Sequence, residues 1–154
     1  MEFAKAFDLP VINHCEDLHL SAGGDMHEGF ESVRLGLRGI PSVSEDVMVA
    51  RDLLLAQITG ARYHVAHIST RRAVQMVAAA KAQGLPVTCE ATPHHFSLCD
   101  SDIVPYDSAY KMKPPLRAAK DVAELIEGIA SGVIDCIATD HAPHPGSEKM
   151  QEFE

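Results

Sequence analysis

Four short apolar runs in this chain each end abruptly in histidine, acid or proline. Val11–Ile12–Asn13 passes into His14–Cys15–Glu16–Asp17, and Tyr63–His64–Val65–Ala66 into His67–Ile68–Ser69–Thr70. Val87–Thr88–Cys89–Glu90–Ala91 passes into Thr92–Pro93–His94–His95, and the run from Val133 to Ala138 into Thr139–Asp140–His141–Ala142–Pro143–His144. Short apolar runs that do not alternate read as strands covered on both faces. Their predicted extents are Pro10–Cys15, Arg62–Ile68, Leu85–Ala91 and Val133–Thr139.

Between the strands the pattern lengthens to a helical period. Met1–Phe7 is amphipathic without an N-cap, so it reads as the last turns of a helix that begins upstream. A polar loop, 16–29, leads to a short helix over Glu28–Arg38, ended by Gly39 in the C′ position. Ser42-Val43-Ser44-Glu45 fits a capping box. Behind it Val47, Val49, Ala50, Leu53, Leu54, Gln57 and Ile58 predict an amphipathic helix running to Gly60. Ser69 or Thr70 caps a helix over Ala73–Ala82 that closes at Gly84. A long irregular stretch, 92–116, is broken by Asp100-Ser101-Asp102 and Pro114-Pro115. Ala118–Ala130 presents Val122, Leu125, Ile126 and Ile129 on one face and closes at Gly132. The tail 145–154 is polar, with no predicted element.

Strands alternating with helices predict βα units on a parallel sheet, hence an α/β fold. An open doubly wound sheet would gather its chemistry at one switch point. Here every strand carries polar groups at its C-terminal end, as the strands of a (β/α)₈ barrel do. A complete barrel needs roughly 250 residues; the 154 present hold four strands, so the prediction is a partial TIM barrel.

Composition narrows the function classes. A net charge of −9 argues against nucleic acid or an anionic membrane as partner. The apolar runs are too short to span a bilayer. Cys15, Cys89, Cys99 and Cys136 form no CxxC pair and read as buried free thiols of a reducing compartment, which predicts a cytoplasmic location.

Of the nine histidines, most lie at or just past a strand end. Neutral imidazole and carboxylate are natural ligands of zinc and similar divalent metals. His14, His67 and Asp140 fall at equivalent heights on three strands and are the candidate metal ligands. Asp140 is also the candidate general base toward a water activated by that metal. Glu16 and Asp17 either orient His14 or are plain loop acids. Thr92-Pro93-His94-His95 reads as a turn with one ring buried. His64 lies opposite His67 by strand parity, which predicts packing against a helix. His19 and His27 are expected in solvent. Lys111, Lys113 and Arg117 form a basic cluster, either a solvated face or a contact for an anionic substrate.

At these residues the chain resembles the dihydroorotases of the amidohydrolase superfamily. The marks are His14-Cys15-Glu16-Asp17, Gly23-Gly24, Met26-His27-Glu28-Gly29, Arg34-Leu35-Gly36 and Gly39-Ile40-Pro41. They continue in Ala66-His67-Ile68-Ser69-Thr70, Glu90-Ala91-Thr92-Pro93-His94-His95, Lys111-Met112-Lys113-Pro114-Pro115-Leu116-Arg117 and Ala138-Thr139-Asp140-His141-Ala142-Pro143-His144. The resemblance implies a metal-dependent hydrolase barrel of which residues 1–154 are the C-terminal half, strands five to eight with their helices, both flanks being absent. It implies two zinc ions per complete site and reversible cyclisation of N-carbamoyl-L-aspartate to dihydroorotate in pyrimidine synthesis. By position, His14 and His67 would hold the second zinc, Asp140 the first while shuttling the proton, and His144 and Lys113 would contact substrate. Lys113 stands where the family usually has asparagine. The family's His-x-His, its bridging carboxylate and a substrate-binding arginine have no counterpart here, which predicts negligible turnover for these residues alone. The two open edges of a half barrel predict self-association. Implied partners are the small-molecule substrate and either further copies of the chain or aspartate carbamoyltransferase. Two other readings of the resemblance are a hydantoinase or allantoinase, and a non-catalytic scaffold for that transferase.

Overall fold

A computed structural model describes residues 1–150, 152 and 153. Its elements in chain order are α1 (Glu2–Ala6), β1 (Val11–Asn13), β2 (Met26–His27), α2 (Phe30–Leu35), β3 (Gly39–Ile40), α3 (Val43–Thr59), β4 (Tyr63–Val65), α4 (Arg71–Ala82), β5 (Val87–Ala91), α5 (Pro93–Ser97), α6 (Ala119–Ala130), β6 (Cys136–Ile137) and α7 (Gly146–Lys149). Short 3₁₀ turns cover Asp100–Asp102 and Ser108–Tyr110. Among the described residues no helix is long and apolar enough to cross a membrane.

The four expected strands form one sheet, ordered β1-β4-β5-β6, with every pair parallel. Val11 pairs with Tyr63 and Asn13 with Val65; Tyr63 pairs with Val87 and Val65 with Cys89. Strands consecutive in this sheet are neighbours, as an arc of a barrel requires. The core of this sheet lies on one face, where Tyr63, Val65, Val87, Cys89 and Ala91 meet Val49, Leu53 and Ala56 of α3, Val74, Val77 and Ala80 of α4, and Leu125 of α6; a second cluster joins Met26, Leu35, Leu37, Ile103, Leu116 and Phe153. The other face carries Ile12, 65% exposed, and Ile137, 55% exposed. A doubly wound sheet has helices on both faces; this one is a four-strand arc of a (β/α) barrel.

Local chemistry sets the helix ends. Thr70 caps α4 by accepting the Ala73 N–H at 3.2 Å, and Asp121 of α6 accepts the Arg71 N–H at 2.9 Å. Gly60 closes α3 in the left-handed region at φ 66°.

Several expectations are corrected. Helix α2 ends at Leu35, with Gly36 left-handed at φ 69°, so Gly39 is not its C′ residue. Gly39 instead pairs in β3 with Met26 of β2, where a Cβ would lie 2.6 Å from the Glu28 backbone. Glu45 does not reach back to cap α3; its carboxylate is taken by the turn after β4. The buried stripe of α3 is Glu45, Asp46, Val49, Asp52, Leu53 and Ala56, whereas Ile58 is 80% exposed. The tail holds α7, a single turn; Gln151 and Glu154, within the stretch expected to lack an element, lie outside the described residues.

Candidate metal centre

Two adjacent strand ends deliver two imidazoles to one point. His14 follows β1 directly, and His67 lies two residues past β4. Their rings stand edge to face at 67°, with centroids 4.7 Å apart, and His14 Nδ1 lies 3.0 Å from His67 Nε2. His67 reaches this position by turning the chain into the left-handed region, at φ 34°. That conformation costs a non-glycine residue free energy and persists only where neighbours enforce it. Three contacts do so: the Ala66 N–H donates to Asn13 O at 3.1 Å, the Ile68 N–H to Glu90 O at 2.8 Å, and the His67 N–H to Glu90 Oε1 at 3.4 Å. Asp140, the third candidate, also has a positive φ, 48°.

The remaining nitrogens of the pair differ. His14 Nε2 lies 3.1 Å from Glu16 Oε2, and Lys113 Nζ donates to Glu16 Oε1 at 2.9 Å. Burial pushes the Glu16 carboxyl up, but hydrogen bonds from Ser21, Lys113 and His14 outweigh it and hold the group down at about 2. Asp17 is a loop acid, accepting the N–H groups of His19 and Leu20 at 2.9 and 3.1 Å. His67 Nδ1 is buried with no partner among the described residues. Buried polar atoms are rarely left so, which marks a ring placed by something besides its own hydrogen bonds. Burial and then the neighbouring His14 lower the pKa of His67, while Asp140 acts in the opposite sense. Burial likewise lowers that of His94, against the pull of Asp140. Asp140 is therefore within electrostatic reach of both rings. Two imidazole nitrogens converging from adjacent strands, with the Asp140 carboxylate within electrostatic reach of His67, are donor types that fit zinc or a similar divalent ion.

Beyond the rim an open cleft of about 940 Å³ is lined by His94, Lys111, Lys113, Asp140 and His144, among others. His144 is exposed and pairs with Glu148 at 3.0 Å. The expected cationic cluster is not one. Lys111 pairs with Asp25 at 2.8 Å, Lys113 with Glu16, and Arg117 with Glu45 at 3.4 Å. Arg117 is 2% exposed, too buried for a solvated face. It donates to Ser69 Oγ at 3.0 Å and Ile40 O at 3.2 Å, bracing the turn that carries His67. His27 is also corrected: it is buried, 3.5 Å from Arg117, and burial lowers its pKa to about 4. His19 is exposed, as expected. His95 is the buried ring of its turn, between Thr92 Oγ1 at 2.5 Å and Pro114 O at 2.9 Å.

His64 does not pack against a helix. It lies on the open face of the sheet, with Nδ1 2.7 Å from Thr88 Oγ1 and Nε2 3.1 Å from Glu90 Oε2. Strand parity misleads because the left-handed turn at His67 interrupts it. Ligand-type atoms of His64, Glu90 and Cys136 lie within 4.8 Å of one another, but both His64 nitrogens already have protein partners. On the helix side Asp52 accepts from Asn13 Nδ2 at 2.6 Å and Tyr63 Oη at 3.1 Å, and Cys15 Sγ lies 3.0 Å from that hydroxyl. Burial pushes the Cys15 thiol up to about 12. It is a packing group directly behind His14. Cys15 and Cys89 are buried as expected, but Cys99 is half-buried and Cys136 exposed; all four are free.

A parallel arc with helices on one face, and histidine with aspartate at its strand ends, defines part of a (β/α) barrel. The family profile described as "Dihydro-orotase-like" matches residues 1–73. The whole chain is similar to curated dihydroorotases: 73% identical to that of Solibacter usitatus and 55% to that of Syntrophobacter fumaroxidans, covering 36% and 35% of those proteins. The chain thus spans about a third of the length of the relatives it matches. Solved structures agree in fold. A D-hydantoinase (dihydropyrimidinase) from Thermus sp. superposes with a TM-score of 0.76 at 28% identity, over 97% of this chain and 34% of that one. An L-hydantoinase (dihydropyrimidinase) from Arthrobacter aurescens gives 0.78 at 26% identity, over 96% of this chain and 34% of that one.

Proposed function

We propose that these residues are the C-terminal half of a dihydroorotase barrel, and that the complete site cyclises N-carbamoyl-L-aspartate reversibly to dihydroorotate. The observation that carries the reading is the 3.0 Å approach of His14 Nδ1 to His67 Nε2 across adjacent strands. It supplies a physical reason for ligand roles that identity to dihydroorotases alone would leave as likeness. His14 and His67 would hold one zinc and Asp140 would ligate the other. Zinc, when bound, polarises a carbonyl and lowers the pKa of water. On ring opening Asp140 would take the proton of the attacking water and give it to the leaving ring nitrogen; on closure it would take the proton from that nitrogen and give it to the departing oxygen. His144 and Lys113, in the cleft beside Asp140, would face the substrate's carboxylates. A cytoplasmic location agrees with four unpaired cysteines; association with copies of itself or with aspartate carbamoyltransferase completes the proposal.

The test is a chimera in which these 154 residues replace the matching segment of the Solibacter usitatus dihydroorotase. It should hydrolyse dihydroorotate with zinc and lose that activity in His14→Ala and His67→Ala. Turnover undiminished by either change sinks the ligand assignment. A hydantoin or allantoin turned over in preference to dihydroorotate favours the hydantoinase reading, which the solved structures support at much lower identity. A chimera that folds yet holds no zinc favours the scaffold reading.

A further inference from the structure

We infer that His64, Glu90 and Cys136 form a second ion site, one for a thiophilic divalent cation such as zinc or cadmium, on the open face of the sheet. This site goes beyond the proposed dihydroorotase chemistry and does not depend on it.

The sheet register brings the three residues together. Tyr63 and Val65 of β4, and Val87, Cys89 and Ala91 of β5, point into the helix-side core. Side chains alternate along a strand, so His64, Thr88 and Glu90 point the other way. His64 pairs with Thr88 across β4 and β5, and Glu90 with Cys136 across β5 and β6. Neighbours in register share a face. Three consecutive strands therefore bring an imidazole, a carboxylate and a thiol to one patch. Their ligand-type atoms lie within 4.8 Å of one another. Ligand bonds of about 2.0–2.3 Å draw such atoms somewhat closer, and the exposed Cys136 side chain supplies the adjustment by rotating.

The surroundings favour a cation. Among the described residues no lysine or arginine pairs with Glu90; its ion-pair contact is His64 at 3.1 Å, with side chains 16% and 21% exposed. Shielded charges are paired or coordinate metals. Glu90 Oε1 is turned to the His67 N–H at 3.4 Å, which leaves Oε2, on the His64 side, as the ligand oxygen. His64 Nδ1 lies 2.7 Å from Thr88 Oγ1, and a hydroxyl can accept. An Nδ1–H held by Thr88 frees Nε2 for the ion, and ligand imidazoles are commonly oriented through their outer nitrogen in this way. An ion between Nε2 and Oε2 thus exchanges one hydrogen bond for two ligand bonds. Cys136 binds as thiolate, and its proton passes to solvent on loading. The sulfur makes the set soft, so it selects zinc or cadmium over magnesium.

The test titrates cobalt(II) into the 154-residue chain, reduced and freed of metal, and follows the thiolate-to-cobalt charge-transfer absorption. Cys15, the thiol beside His14, is buried on the helix side, so the His14–His67 pair gives no such band. One band-forming ion per chain is expected, displaced by cadmium and zinc but not by magnesium. Cys136→Ser, at an exposed position, should abolish the band. Thr88→Val should weaken cobalt roughly 10- to 100-fold, and His64→Ala and Glu90→Gln should weaken it further. His14→Ala should leave the band in place. Cadmium should also protect Cys136 from iodoacetamide in the unaltered chain, a measurement that needs no variant to fold.

A band that persists in Cys136→Ser overturns the site by placing the ion on another cysteine. One that His64→Ala and Glu90→Gln leave untouched overturns it by reducing the site to a lone thiol. So does the absence of both band and protection. Zinc held through His14 and His67 without any band would sink this inference and leave the dihydroorotase reading standing.

Discussion

Glu45, on the first turn of α3, accepts the backbone N–H groups of Ser69 and Thr70 at 2.9 and 3.0 Å. Those residues follow His67, and Arg117 closes over the same carboxylate at 3.4 Å. The turn that presents His67 is thus held by Glu90 on the open face of the sheet and by a buried ion pair behind it. Removing one partner of a buried pair strands the other. Glu45→Ala should therefore cost about 3–5 kcal/mol of stability, read as a lower urea midpoint with an unchanged slope. A loss under about 1 kcal/mol would place Arg117 in contact with water.

Acid should loosen the fold before it reaches ordinary carboxylate pKa values. Burial lowers His95 to about 3 and His27 to about 4, against 6.5 for a free ring. A base with a depressed folded pKa contributes stability that is complete above pH 6.5. That stability is lost as pH falls toward the folded value, since the unfolded chain binds the proton first. Unfolding free energy should fall between pH 6.5 and 4, by up to about 1.4 kcal/mol per pH unit for each ring. His27→Gln should flatten that slope; an identical pH profile in this variant would exclude His27 as a source.

Asp140 tests the chemistry separately from the ion that His14 and His67 would hold. In the dihydroorotase chimera, Asp140→Asn should lower turnover by about 10²–10⁴, the usual worth of a positioned proton carrier. The ion held by His14 and His67 should stay. Zinc content measured beside turnover checks this, since loss of both ions would tie the lost turnover to an empty site and not to the proton role of Asp140.

The thiols should react in the order of their exposure. Cys136 is exposed and Cys99 half-buried, while Cys15 and Cys89 are buried and pushed up to about 12. Iodoacetamide at neutral pH should label Cys136 and Cys99 first, with Cys15 and Cys89 reacting only on unfolding. Peptide mass mapping over a time course reads the order directly.

What could be read from the sequence divides by range. Parallel βα order needs only local period and strand composition, and all four predicted strands pair in one parallel sheet. Partners distant in the chain were not legible. Ser42-Val43-Ser44-Glu45 has the pattern of a capping box, yet Glu45 binds residues 24 and 25 positions away, because the turn after β4 brings unmet N–H groups to α3. The available clue was that Glu45 shares the helical stripe of Val49 and Ala56, an odd place for an unpaired acid. His27 looked like a loop residue, but the β2–β3 pairing buries it. His64 was assigned to the wrong side because parity was counted through a turn at φ 34°. Arg117 was grouped with two lysines by proximity along the chain, while packing sends each cation to a different acid.

The sheet order β1-β4-β5-β6 puts His14 and Asp140 just beyond its two border strands. The gap between them is therefore no local property; it is the chord of the whole arc. Any body resting on the concave side that bends or flattens these strands alters that chord, and so retunes the bite of the ligand set without touching a ligand.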